Sequence, residues 1–166
     1  IEGPWSEPIM MLPKADVLDD PAVYWDEETH EAYIIVNSGT KQKSADNTIE
    51  GNENRIYRMS WDGTKILDEG KLVYTGMGAE AAKIYKKDGF WYIFMAQWTM
   101  GDKSTKPGVK NPKNDRKQLV LRSKESIYGP YEVKTVLEKG TEFGNRSASQ
   151  GGLMQAPDGS WWYMHQ

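Results

Sequence analysis

The stretch that decides the fold class is Ala82-Lys-Ile-Tyr85-Lys-Lys-Asp-Gly-Phe90-Trp-Tyr-Ile-Phe94. Two short runs rich in aromatic and β-branched residues flank an Asp-Gly pair, which tolerates the positive φ angles of a two-residue hairpin turn. The stretch therefore predicts two antiparallel strands joined by a tight turn.

The same hairpin pattern occurs twice more, in residues 21–36 and in residues 152–164. Further strand candidates lie between the hairpins, and each is a short run with aromatic or β-branched residues. They are Asn54–Ser60, Lys71–Tyr74, Gln118–Ser123 and Tyr131–Val136. About four strands per unit, at a repeat of roughly 60 to 70 residues, predict the blades of a β-propeller.

The number of blades is too small to close a ring. Gly3-Pro4-Trp5 resembles Gly129-Pro130-Tyr131, so we expect the chain to begin on the last strand of one blade and to stop partway through another. A propeller ring needs about four to eight blades. We therefore predict an all-β, incomplete β-propeller, with residues 1–166 forming one partial domain of about two full blades plus parts of two others.

Composition excludes several classes of function. The 166 residues carry a net charge of −3 without a basic run, which argues against nucleic acid as a partner, and no apolar stretch approaches a membrane span. The absence of cysteine excludes disulfides and thiolate metal sites, and the two histidines lack the spacing of a catalytic metal site. Two polar inserts, 38–53 and 98–117, are expected to be exposed loops that either border a substrate cleft or simply connect strands.

Two acidic residues stand out by their position. Asp20 and Glu80 each precede the first strand of a unit, and we expect these to be equivalent places in neighbouring blades. Because the inner strands of all blades start at one rim of the central channel, the two carboxyl groups would converge there. Paired carboxyl groups are the minimum apparatus for glycoside hydrolysis. The alternative is that Asp20, which precedes a proline, only forms a turn.

Several motifs, in their order along the chain, resemble glycoside hydrolase family 43. They are Asp20-Pro-Ala-Val-Tyr24, Glu80 with the hairpin that follows it, Leu121-Arg-Ser-Lys124 with Gly129-Pro-Tyr-Glu132, and Gln150-Gly-Gly-Leu-Met154. The resemblance covers nearly the whole chain. It implies a five-bladed propeller and an inverting hydrolase of pentose-containing plant polysaccharides such as xylan, arabinoxylan or arabinan, of the β-xylosidase or α-L-arabinofuranosidase type.

The resemblance also implies roles for single residues. Glu80 corresponds to the general acid and Asp20 to the carboxylate that tunes the pKa of the acid and orients it, while the general base is expected outside these 166 residues. Ala81 and Ala82 replace the Gly-Pro pair that commonly follows the acid in the family. No cofactor is expected to be required, and calcium in the central channel stays an open option. A secreted or periplasmic location is implied only because the polysaccharides are large.

Three further residues are candidates for substrate binding. Trp98 follows a predicted strand and could offer a flat face to a sugar ring, or it could pack within the blade. Arg146 could donate to a sugar hydroxyl, or be an exposed structural residue, and Gln150 stands where many family members carry histidine. The alternative to an enzyme is a propeller that binds glycan or protein without catalysis, since a fold does not determine a function.

Overall fold

The computed structural model describes residues 2–12, 18–38, 51–98, 116–138 and 149–165. These residues form ten strands, which are β1 (Leu18–Asp26), β2 (Glu31–Ser38), β3 (Asn52–Met59), β4 (Lys71–Gly76), β5 (Glu80–Lys87), β6 (Phe90–Trp98), β7 (Arg116–Ser123), β8 (Glu132–Leu137), β9 (Gly152–Gln155) and β10 (Trp161–Met164). No described residue belongs to a helix, so none of this part of the chain offers a helix that could cross a membrane.

The strands form two complete sheets and one hairpin. The first sheet has the order β1-β2-β3-β4, the second β5-β6-β7-β8, and β9 pairs with β10, all antiparallel. This is the meander of a propeller blade, and it confirms the predicted four-strand unit. In the β5–β6 turn, Asp88 and Gly89 have φ of 51° and 76°, the two positive angles that an Asp-Gly hairpin turn requires.

The main core lies between the two sheets. Ile35 and Ile56 of the first sheet and Ile93 and Leu121 of the second are fully buried in one cluster. On the other face of the first sheet a smaller cluster contains Ala32, Ile34, Val36 and Met59. The central strand β2 is thus buried on both faces, which explains why its sequence is continuously apolar instead of alternating.

An ion pair joins the two sheets at the ends of β1 and β5. Lys86 Nζ lies 2.9 Å from Asp26 Oδ2 and 2.7 Å from Glu28 Oε2, and it also lies over the ring of Trp91. Asp26 is 2% exposed. Burial acts to raise the pKa of Asp26, but hydrogen bonds from Lys86 and Thr29 outweigh it and lower that pKa. The contact therefore fixes the first sheet against the second.

The expectation that the chain begins on a blade strand is wrong. Residues 2–12 form no strand, and Trp5 is 75% exposed. The segment pairs with none of the strands in the described ranges, and a strand requires a paired neighbour. The two predicted loops, 38–53 and 98–117, lie largely outside the described residues.

Candidate active site

The structure brings Asp20 and Glu80 together at the beginning of β1 and β5. The backbone N–H of Ala81 donates to Asp20 Oδ2 at 3.0 Å, so the carboxylate of one residue holds the peptide that follows the other. Asp20 and Ala81 both have positive φ angles, 46° and 54°, which are uncommon for residues with side chains. Each lies in a break of the strand register, and these β-bulges re-aim the chain at the start of each inner strand.

The two acids do not occupy equivalent positions, contrary to the expectation from the sequence. Tyr24 pairs with Tyr33 in the first sheet and Tyr85 with Tyr92 in the second, and counting back from these pairs matches Glu80 with Asp19. Asp20 matches Ala81. The two bulges are alike, but Asp20 occupies the positive-φ position of the first bulge, whereas Glu80 precedes the positive-φ residue Ala81 of the second.

The carboxyl group of Glu80 is held through one of its two oxygens. Arg116 NH2 lies 2.7 Å from Oε1, and the amide Nε2 of Gln150 donates to the same Oε1 at 2.8 Å. Within the described residues, Oε2 has no hydrogen-bond partner. Guanidinium and amide N–H groups only donate, so Oε1 must act as the acceptor. A proton on Glu80 is therefore directed to Oε2.

The surroundings of Glu80 favour a protonated carboxyl group. Burial is the largest influence and raises the pKa of Glu80, and the nearby carboxylates Asp20 and Asp19 raise it further. The charge of Arg116 and the hydrogen bond from Gln150 act in the opposite direction but do not outweigh burial. The Glu80 side chain keeps 18% of its exposure, so it is shielded yet accessible. A group of this kind suits a general acid.

Gln150 reaches Glu80 because the β9–β10 hairpin is anchored to the second sheet. The hydroxyl of Tyr85 accepts a bond from the backbone N–H of Leu153 at 2.7 Å, and the hydroxyl of Tyr163 donates to Gln118 Oε1 at 2.7 Å. Gln150 itself has φ of 56°. The amide nitrogen of Gln150 thus contacts the candidate acid Glu80. A contact between Gln150 and the substrate stays a prediction.

Trp98 is placed close to the site by packing. Its ring covers Gly78, where an added Cβ would lie only 2.4 Å from the indole, and its backbone N–H donates to Met77 O at 3.1 Å. Its Nε1 is buried and has no partner in the described part of the chain. These contacts agree with the expectation that Trp98 packs within the blade. Its role in sugar binding stays a prediction. Arg146 lies outside the described residues.

Two cations near the acids were not found from the sequence. Arg116 begins β7 and pairs in register with Trp98, which brings it to Glu80 only through the fold. Lys83 donates to Ala81 O at 3.1 Å, and burial lowers its pKa although the charge of Asp20 opposes this. Lys83, a charged residue in the half-buried strand β5 three positions after Glu80, is the one feature of the sequence that could have indicated a cation near the acid.

The described residues do not assemble a metal site. Within those ranges, no group of three or more His, Cys, Asp or Glu side chains is arranged to hold an ion. Gln150, at the position considered for an ion ligand, donates to Glu80 instead. Calcium in the central channel therefore stays a prediction, and no step below involves an ion.

The fold and the site define a segment of an all-β protein with blade-like sheets and a paired-carboxyl centre. The sequence model of the glycosyl hydrolases family 43 matches residues 1–166. This chain belongs to that family.

Relatives and solved structures agree with this assignment. The chain is 86% identical over its whole length to a β-xylosidase of Formosa agariphila, of which it covers 28%, and 28% identical to a xylan 1,3-β-xylosidase of a Vibrio species, of which it covers 29%. A crystal structure of xylan β-1,4-xylosidase from Bacillus halodurans matches 99% of the chain and 29% of its own length, with a TM-score of 0.70 at 24% identity, which speaks for the fold alone. The chain thus spans just over a quarter of the length of these relatives.

Proposed function

We propose that the protein containing this chain is an inverting glycoside hydrolase that releases xylose from xylan-type polysaccharides. The chain contributes the general acid, Glu80, and the carboxylate that tunes and orients it, Asp20. The general base is contributed by residues outside these 166, in a completed five-bladed propeller. The substrate class is supported by the 86% identical relative, which is named a β-xylosidase.

The observation that carries the proposal is the asymmetric environment of the Glu80 carboxyl group. Oε1 forms an ion pair with Arg116 and accepts a hydrogen bond from Gln150, while Oε2 is left for the proton that the leaving group requires. Burial and the neighbouring Asp20 raise the pKa of Glu80 and so keep it protonated at a pH where an ordinary glutamate has ionised.

The reaction follows from this arrangement. Glu80 Oε2–H donates its proton to the glycosidic oxygen as the bond from that oxygen to the anomeric carbon breaks. A water molecule attacks the anomeric carbon from the opposite face and gives its proton to the general base. In inverting enzymes the two carboxyl groups lie about 6.5–9.5 Å apart, which leaves room for this water. The products are a xylose of inverted configuration and a shortened chain with a free hydroxyl.

Asp20 acts without donating to the substrate. Its Oδ2 accepts from the Ala81 N–H, which fixes the peptide after Glu80, and its charge disfavours ionisation of Glu80.

A polymer is too large to enter a cell intact, so we propose that the protein works outside the cytoplasm, in the periplasm or secreted.

The experiment is to compare Glu80→Gln with the unchanged full-length protein on xylosides with poor and good leaving groups. Loss of a general acid lowers the rate by about 10²–10⁴-fold when the leaving group needs protonation. A good leaving group, such as dinitrophenolate, needs little protonation, and its rate is expected to change far less. An equal, measurable rate for Glu80→Gln and the unchanged protein on xylobiose would contradict the role of Glu80. An unchanged protein that hydrolyses neither class of xyloside would favour a binding propeller.

A further inference from the structure

The backbone around Glu80 is held from both sides by side chains of the first sheet. On the C-terminal side, Asp20 of β1 accepts from the N–H of Ala81. On the N-terminal side, the carbonyl oxygen of Ala79 accepts from Asn54 Nδ2 at 3.2 Å and from Asn37 Nδ2 at 3.4 Å. The three inner strands of one sheet therefore converge on the two peptides that flank the acid of the next sheet.

The two asparagines form a matched pair. Asn37 of β2 and Asn54 of β3 are register partners, and they are 2% and 0% exposed. Each directs its amide nitrogen to the same carbonyl oxygen, which has two lone pairs and can accept both bonds. Ala79 is itself fully buried, so its carbonyl position is set by these contacts and not by solvent.

The side-chain oxygens of the two asparagines lack the hydrogen bonds that a purely structural pair would be expected to make. Asn37 Oδ1 and Asn54 Oδ1 are both buried without a hydrogen-bond partner in the described residues. A buried acceptor that lacks a donor destabilises a fold. One amide donor is enough to satisfy the Ala79 carbonyl, so the second amide adds an orphaned oxygen without satisfying a further buried group. Stability alone therefore does not account for two amides here.

We propose that Asn37 and Asn54 are positioning residues that hold Glu80 in line with the glycosidic oxygen through the Ala79 carbonyl. This inference rests on the proposed role of Glu80 as general acid. With Asp20 they form a three-point clamp on the acid, and the clamp transmits the position of the first sheet to the carboxyl group. Small displacements of a catalytic group lower the rate strongly, because proton transfer requires close and aligned atoms.

The test uses Asn54→Leu, Asn37→Leu and the double variant in the full-length protein, with xylobiose and a dinitrophenyl xyloside as substrates. Each leucine removes the donor and the unsatisfied oxygen while it keeps the approximate shape. Ile56→Val, two residues along β3 from Asn54 and fully buried, is the matched control for core destabilisation. Asn54→Ala, which also lacks the amide donor and introduces no charge, replaces Asn54→Leu if that variant is not obtained folded.

We expect each single leucine variant to lose roughly tenfold in kcat on xylobiose, with KM nearly unchanged, and the double variant to lose more. On the dinitrophenyl xyloside the loss stays below about threefold, since little protonation is needed. The unfolding midpoint of each single leucine variant stays at or above that of Ile56→Val, which keeps its activity, because the remaining asparagine still donates to the Ala79 carbonyl. Unchanged kcat on xylobiose, or equal losses on both substrates, would overturn the clamp. Glu80→Gln in the same series separates the two hypotheses, because only full activity of that variant contradicts the role of Glu80 itself.

Discussion

Removing the positive charge of Arg116 should shift the pH dependence of catalysis in a defined direction. Arg116 lies 2.7 Å from Glu80 Oε1 and stabilises the ionised carboxylate. In Arg116→Met this stabilisation is lost, so Glu80 should keep its proton to higher pH. The alkaline limb of kcat/KM for xylobiose should therefore move to higher pH, because that limb reports the loss of the acid's proton in the free enzyme.

The size of the effect follows from the exposure of the pair. A hydrogen bond to a charged group contributes about 1.5–3 kcal/mol. The two side chains keep 26% and 18% of their exposure, so water screens part of the interaction and the lower end applies. Since about 1.4 kcal/mol corresponds to a factor of ten, the acid dissociation constant of Glu80 should fall roughly tenfold.

The chain contains a matched control for this measurement. Arg122 lies on the same strand and makes an ion pair of the same length, 2.7 Å, but with the exposed Glu132. Arg122→Met should leave the pH profile unchanged. If Arg116→Met left the alkaline limb in place, moved it to lower pH, or shifted it no more than Arg122→Met, the proposed electrostatic role of Arg116 would be refuted.

Two further predictions concern stability, both measured by urea unfolding. Asp26→Asn should lower the free energy of unfolding by about 2 kcal/mol, less than the loss of a fully buried pair, because Lys86 keeps its contact with Glu28. Since the folded-state pKa of Asp26 is lowered, its stabilisation is present above about pH 4 and is lost as the pH falls below that range. A variant whose stability fell at low pH as much as that of the unchanged protein would contradict this. Gly78→Ala should cost about 3 kcal/mol, because φ is +56° and the new Cβ would meet the Trp98 ring. Gly89→Ala, with φ of +76° and open space, should cost only about 1 kcal/mol, and equal losses would rule out the packing of Trp98 on Gly78.

Local pattern was enough to predict most of the strands. The three hairpins follow from aromatic-led runs and tight turns, and the four additional strands match within a few residues, as in β3 (Asn52–Met59) and β7 (Arg116–Ser123). The exception is the segment around Trp5, where a strand-like sequence has no partner strand among the described residues. A strand is defined by pairing, and pairing is not a local property.

The candidate site was only partly accessible from the sequence. The proximity of Asp20 and Glu80 followed from the repeat, but their one-residue offset required the strand registers, in which Asp20 matches Ala81 and not Glu80. Arg116 could not be assigned, since it approaches Glu80 across a strand pair and follows a long polar insert. Asn54 is likewise buried in a strand whose sequence does not distinguish it from an exposed polar residue.

The most direct test of the central claim is a crystal structure of full-length Glu80→Gln with bound xylobiose or a longer xylo-oligosaccharide. We expect the side-chain group in the place of Oε2 to lie within about 3.2 Å of the glycosidic oxygen. We also expect the amide oxygen introduced by the substitution to take the place of Oε1 and to keep its contacts with Arg116 and Gln150. A glycosidic oxygen that instead contacts a different carboxyl group, with the substituted side chain out of hydrogen-bond reach, would contradict the account.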